Sequence, residues 1–219
     1  MRKYLQILKK CPLFFGIEEE KLLVMLGCLG AKTDFFDKKY TIFAEGREAK
    51  YIGILLSGTA HVIRVDYYGN RSILGEIKAG EVFGEAFASA KTKSLPVSVI
   101  ADTESEVMLI EADRILHTCK KGCEFHQRLI YNLMKDLAEK SIAFHQRLEI
   151  TSRRTTAEKL MTYLHFYSKK TGKTEFDIPF DRQELADYLE VDRSGLSAEI
   201  GKLRRAGIIE SHKNHFILL

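Results

Sequence analysis

The stretch Phe180–Ile209, FDRQELADYLEVDRSGLSAEIGKLRRAGII, decides the architecture. Asp181 stands where a helix N-cap is expected, and Glu184 three residues on completes a capping box, each side chain serving the other's backbone amide. Leu185, Ala186 and Leu189 fall on one inner face. Ala186 is small, as two helices crossing steeply require at their contact. Val191-Asp192 makes a short turn, and Asp192 caps a second helix predicted over 193–205, with Leu196, Ile200 and Leu203 facing inward. Ile208-Ile209-Glu210 and His215-Phe216-Ile217-Leu218 then alternate around Lys213-Asn214, which predicts a two-stranded wing. The sum is a winged helix-turn-helix.

In such a unit the N-terminal end of the second helix enters the major groove of DNA. Arg193, Ser194, Ser197 and Ala198 are the outward residues there. An arginine can bond guanine through two parallel hydrogen bonds or clamp a phosphate, and serines suit either base type. Lys202, Arg204 and Arg205 further along, with Arg182 and Gln183 at the start of the first helix, are expected phosphate anchors. The competing reading is a helical hairpin with solvated charges. It leaves the agreement of caps, small contact residue, turn and wing unexplained.

Upstream of this unit, Ile130, Met134, Leu137, Ser141, Phe144, Leu148 and Thr151 step by four and three, a heptad seam. Glu139, Lys140, Arg147 and Glu149 lie off it. The seam predicts a long helix pairing with a second copy of the chain; burial against the preceding strands is the alternative. A further helix, TTAEKLMTYLHFYSKK from Thr155, stops at Gly172. Between Ala31 and Ile110 short apolar runs (YIGILLSG, TAHVIRVD, SILGEI, PVSVIA, EVMLI) alternate with turn residues such as Tyr68-Gly69-Asn70. Many short strands of this kind predict a jelly roll. Before them, Leu22, Leu23, Leu26 and Leu29 mark short helices. The expected fold is therefore α+β: an N-terminal antiparallel β jelly roll over 1–123, a long dimerisation helix over 124–151, and a C-terminal winged helix-turn-helix domain over 152–219.

Composition sets outer bounds. At 219 residues, 45% hydrophobic and 29% charged, the chain suits one large or two small globular domains. A net charge of +4 permits nucleic-acid binding without arguing for it. The start, MRKYLQILKKCPLFF, lacks an apolar signal core and no long apolar run follows, so a cytoplasmic protein with no membrane partner is expected. Cys11, Cys28, Cys119 and Cys123 form no C-x-x-C pair and read as reduced thiols. No metalloprotease, nucleophile-elbow, P-loop or dinucleotide motif is present, so no catalytic residue and no metal site is expected.

The chain as a whole resembles the CRP/FNR family of bacterial transcription regulators. CPLFFGIEEEKLLVML is similar to that family's opening helix, and YIGILLSGTAHVIRVDYYGNRSILGEIKAGEVFGE to its cyclic-nucleotide-binding roll, with Gly58, Gly69, Gly80 and Gly84 at the turns. The resemblance implies a homodimer on a two-fold operator of double-stranded DNA, with RNA polymerase as a further candidate partner. Two departures stand out. Relatives that bind cyclic AMP follow the Gly-Glu turn with an Arg-Ser or Arg-Thr pair, where this chain has Leu95-Pro96. They also carry hydroxyls on the long helix, where this chain has Ala143 and Phe144. A buried cyclic phosphate would forgo charge-assisted bonds of roughly 1.5–3 kcal/mol each, which argues against cyclic AMP. Many relatives also have an arginine at the position of Ala198, so the operator should differ from their commonest half-site.

Three readings of the roll stay open. It binds another small effector, with Gly84, Glu85 and Ala86 fixing a polar end and Phe87, Leu95, Pro96, Val97, Ala143 and Phe144 walling the rest. Or it is a filled relic, with Glu85 bonded to its own loop. Or control is by redox or cofactor, through Cys11, Cys119 or Cys123, or through haem on His61, His117, His126 or His145. A ligand-binding module acting on a protein partner is the remaining alternative, and the terminal winged unit argues against it.

Overall fold

The computed structural model describes residues 2–65, 67–68, 71–117 and 124–219. The chain divides into two compact units, Met1–Glu139 and Lys140–Leu219. The first opens with a turn of 3-10 helix, α1 (Leu5–Leu8), a second 3-10 turn and α2 (Glu19–Cys28). Leu22, Met25 and Leu26 are the buried face of α2. The strands follow: β1 (Lys32–Phe36), β2 (Thr41–Phe43), β3 (Tyr51–Ser57), β4 (Thr59–Val65), β5 (Arg71–Lys78) and β6 (Val82–Phe83). After the short helix α3 (Glu85–Ser89) come β7 (Ser98–Ala101), β8 (Ser105–Glu111) and α4 (Ala112–Leu116).

These strands form two four-stranded antiparallel sheets, ordered β1-β8-β3-β6 and β2-β7-β4-β5. Their inner faces share a core of Leu55, Ala60, Ile77, Phe83, Val99 and Val107. The alternation of side chains along a strand puts these residues inside and polar ones outside. The long run of apolar residues in β3, Ile52 to Leu56, is buried on both faces because the N-terminal helices cover its outer one. Gly69 and Asn70, read as part of a turn, lie outside the described residues, as do Cys119 and Cys123.

Gly53 in β3 marks a close approach. A Cβ there would stand inside contact distance of the Phe83 ring, which also packs against Phe43 with centroids 5.2 Å apart. Gly53→Ala should therefore destabilise the roll by about 1–3 kcal/mol, the usual cost of overpacking. Chemical denaturation of the variant measures it, and Phe83→Leu in the same chain should recover part of the loss.

The long helix α5 runs Glu124–Thr151. Leu129 and Leu133 are buried in the first unit's core, and Leu137 packs against it. Met134, Ser141, Phe144 and Leu148 are exposed. The heptad seam is thus shared: Leu137 packs on the strand unit's core, Ile130 and Thr151 are half-buried, and Met134, Ser141, Phe144 and Leu148 are open.

The second unit continues with α6 (Thr156–Thr171), β9 (Glu175–Asp177), α7 (Arg182–Leu189), α8 (Arg193–Arg205), β10 (Ile209–His212) and β11 (His215–Leu218). Its core gathers Ile150, Leu160, Leu164, Leu185, Leu196 and Phe216, among others. The wing has three strands, ordered β10-β11-β9, where the sequence pattern predicts two. The added strand is three residues with one buried side chain, Phe176, too short for a periodic signal.

Candidate nucleic-acid interface and effector pocket

Local chemistry fixes the two crossing helices. Asp181 Oδ1 accepts from the Glu184 amide (2.8 Å) and Glu184 Oε2 from the Asp181 amide (2.7 Å), a complete capping box. At the far end of α7, Glu190 takes a left-handed conformation, and Lys159 Nζ donates to the Leu189 and Glu190 carbonyls at 3.1 and 3.3 Å. That cation meets the negative end of the helix. Asp192 caps α8 by accepting from the Gly195 amide at 2.9 Å. Hydrogen bonds from the Ser194 hydroxyl and the Gly195 amide hold its carboxyl below its ordinary pKa. Ala186, Leu185 and Leu189 are fully buried, as is Leu196 on α8, where Ile200 is buried too.

The outer edge of α8 is open. Arg193, Ser194, Ser197 and Ala198 are all exposed at its N-terminal end. Ser194 is engaged with its own Asp192 carboxylate, whereas among the described residues Arg193 has no ion-pair partner. Lys202 is exposed and bonded to Glu199 at 2.9 Å. Gln183 donates to Asp187 at 2.9 Å along α7. Arg182 is half-buried and turns to the wing, donating to the Lys213 carbonyl at 3.0 Å. Burial holds its guanidinium below its ordinary pKa. The winged unit therefore presents a polar, partly cationic helix end, backed by a fully capped and packed scaffold.

Residues 158–219 match the Crp-like helix-turn-helix domain and residues 33–121 the cyclic nucleotide-binding domain. The chain belongs to the CRP/FNR family. It is a DNA-binding transcription regulator, and the family is one of regulators rather than enzymes. Among its curated relatives, a "Probable transcriptional activator" of Rhizobium leguminosarum bv. viciae is 25% identical over 183 residues, covering 81% of this chain and 73% of the relative. Transcriptional activator protein FnrL of Cereibacter sphaeroides is 21% identical over 188 residues, with the same coverage of each chain. Among solved structures, DNR of Pseudomonas aeruginosa has a TM-score of 0.52 at 21% identity, covering 100% of this chain and 95% of that one. CLP of Xanthomonas campestris, a c-di-GMP-responsive global regulator, has a TM-score of 0.56 at 17% identity, covering 89% and 97%.

In this CRP/FNR member the roll holds a cavity of about 280 Å³ between the segment Thr41–Tyr51 and the turn at Gly84. Backbone bonds join that segment to the arm after α3: Gly46 N–H to Leu95 O (2.9 Å) and Leu95 N–H to Arg47 O (2.8 Å). Gly84 and Leu95 line the cavity, as the sequence suggests, together with Phe43, Arg47, Lys50 and Tyr51, which sequence reading missed. Glu85, Ala86, Phe87, Pro96 and Val97 do not line it. Glu85 is buried at the start of α3 and Phe87 packs into the first unit's core. Ala143 and Phe144 belong to the second unit and are exposed on α5. A Cβ at Gly84 would come 2.6 Å from the Phe43 ring, so an aromatic side chain, not open space, borders this turn.

Cys11 is buried and Cys28 exposed. Of the histidines, His126 is buried and its Nε2 bonds the Ile115 carbonyl at 2.8 Å. His61 and His117 lie near carboxylates, Asp102 and Asp113, and His145 is exposed on α5. Among the described residues no group of three or more histidine, cysteine, aspartate or glutamate side chains is placed to hold a metal. No helix among them is long and apolar enough to cross a membrane.

Proposed function

We propose that this regulator acts in the cytoplasm as a homodimer on a two-fold operator, and that a small effector other than cyclic AMP controls it through the roll. The domains are taken as a sensory roll over 1–123, a dimerisation helix over 124–151 and a DNA-binding domain over 152–219. The observation that carries the dimer is the exposure of Met134, Phe144 and Leu148 on α5, at 65, 66 and 53%. Several large apolar side chains exposed along one helix make the kind of patch that marks a protein–protein contact. Pairing also supplies what reading requires: two α8 helices one turn of DNA apart, about 34–36 Å.

Support for an effector other than cyclic AMP comes from the arm after α3, since the cations that line the cavity, Arg47 and Lys50, come from the Thr41–Tyr51 segment instead. Leu95 is buried where the cyclic-AMP-binding relatives carry their arginine, and Phe43 covers the Gly84 turn. The fold is shared by a regulator responsive to c-di-GMP, so it is not tied to one ligand. Effector binding would shift the population of dimer arrangements and so the spacing of the reading helices.

Selection of bound sequences from random duplex should recover inverted repeats with half-sites about 10–10.5 base pairs apart. Titration of that operator with and without millimolar cyclic AMP should give one affinity. Recovery of lone half-sites would count against the dimer, and a tighter complex with cyclic AMP against the effector reading.

A further inference from the structure

The last turns of α5, from Lys140 on, belong to the winged unit. Ile150 is buried in that unit's core, while Phe144 and Leu148 are open to solvent. With about 3.6 residues per turn, Arg147 falls between these two faces of the helix. It is half-buried, and it reaches the far end of α7. Its guanidinium lies 5.5 Å over the Tyr188 ring, and its Nη2 stands 3.6 Å from Glu190 Oε1. Tyr188 in turn packs on Tyr163 and Phe180, with ring centroids 5.3 and 5.0 Å away.

Glu190 is the C-cap of α7, and its φ of 53° is left-handed, where glycine is usual. A side chain at this place costs backbone energy that glycine would not. The turn does not need the carboxylate to fold, because Lys159 already holds the Leu189 and Glu190 carbonyls of the main chain. Nor does so open an ion pair add much to stability. What the carboxylate adds is a direct tie from α5 to the turn. Only Val191 separates Glu190 from Asp192, the cap of the reading helix α8.

We propose that Arg147 is a positioning residue: by gripping Glu190 and Tyr188 it fixes the angle at which α8 leaves α5, and with it the half-site spacing that a pair of chains accepts. This rests on the homodimer reading and names a device that sets its geometry. Arg147 acts here on the turn, not on DNA. One base pair more between the half-sites moves the second by about 3.4 Å and roughly a tenth of a turn. A loosened angle at α8 is therefore read as lost discrimination between spacings, with each subunit's own contacts kept.

The test uses the full-length protein and three duplexes: the selected operator, the same operator with one base pair added between its half-sites, and a lone half-site. The parent should prefer the selected spacing by about 10²–10⁴-fold, the usual loss when two linked modules cannot engage together. Arg147→Met keeps an apolar stem over Tyr188 and removes the charge. Glu190→Gly removes the carboxylate and relieves the turn, so it should fold at least as well as the parent. Each should narrow the preference by roughly 2- to 30-fold, leave the lone half-site affinity unchanged and sediment as the parent does. The double variant should lose no more than either single one.

An unchanged preference in Glu190→Gly would overturn the proposal, even should Arg147→Met fail to fold. So would a lone half-site affinity that falls in step with the operator's, or a double variant whose loss is the product of the single losses. A dimeric parent that binds both spacings alike would overturn this proposal alone. A parent that sediments as a monomer and binds both alike would sink the homodimer reading, and this proposal with it.

Discussion

Replacing Phe144 and Leu148 together by glutamate should leave the protein monomeric at concentrations where the parent sediments as a dimer. Its affinity for the two-fold operator should fall by about 10²–10⁴-fold, the usual span of what linking two binding modules adds. The two residues are one helical turn apart on α5, and both are exposed in the single chain. Covering each in a dimer is worth roughly 1.5–3 kcal/mol, and a glutamate in its place meets its own symmetry mate at close range. The fold should survive, because neither side chain contributes to the unit's core and glutamate is a good helix former. Sedimentation and operator titration together decide the matter. A variant that still sediments as a dimer would show that these side chains are not the contact.

How far the sequence reached can be seen residue by residue. The helix-turn-helix was legible because its signals are local: Asp181 with Glu184, Asp192 with Gly195, and the buried trio of α8 all lie within a few residues of one another. The strands were legible for the same reason, through alternation and turn residues. What escaped was long-range. Gly46 and Arg47 join Leu95 through backbone bonds across a long sequence separation, and nothing in either segment announces the other. The cavity therefore contains a cation that the arm itself lacks. Glu85 illustrates the converse. Its place beside glycines suggests a ligand contact, yet it is buried at the head of α3, where a carboxylate also suits the helix N-terminus. On α5, Leu129 and Leu133 could be told from Phe144 and Leu148 only by knowing that the strand unit's core ends before Lys140.

Arg193→Ala should weaken operator binding by about 1–3 kcal/mol, roughly 5- to 150-fold, and relax the preference at one base position. Lys202→Ala should weaken every duplex alike and by less. The structure separates the two. Arg193 is the first residue of α8, exposed, and among the described residues without an ion-pair partner, so its guanidinium is free to meet a base edge. Lys202 is already bonded to Glu199, and a phosphate would have to compete with that carboxylate. The neighbours sharpen the argument. Ser194 spends its hydroxyl on Asp192, which leaves Ser197 and the Ala198 methyl as the other groups at the reading edge. A methyl can pack only on thymine or touch nothing, so most of the discrimination available here falls to Arg193. Affinities for the selected operator and its single-base variants, measured at one fixed salt concentration, show the pattern. Equal losses on all duplexes for both substitutions would place Arg193 on the phosphate backbone and move the reading of bases elsewhere on the helix.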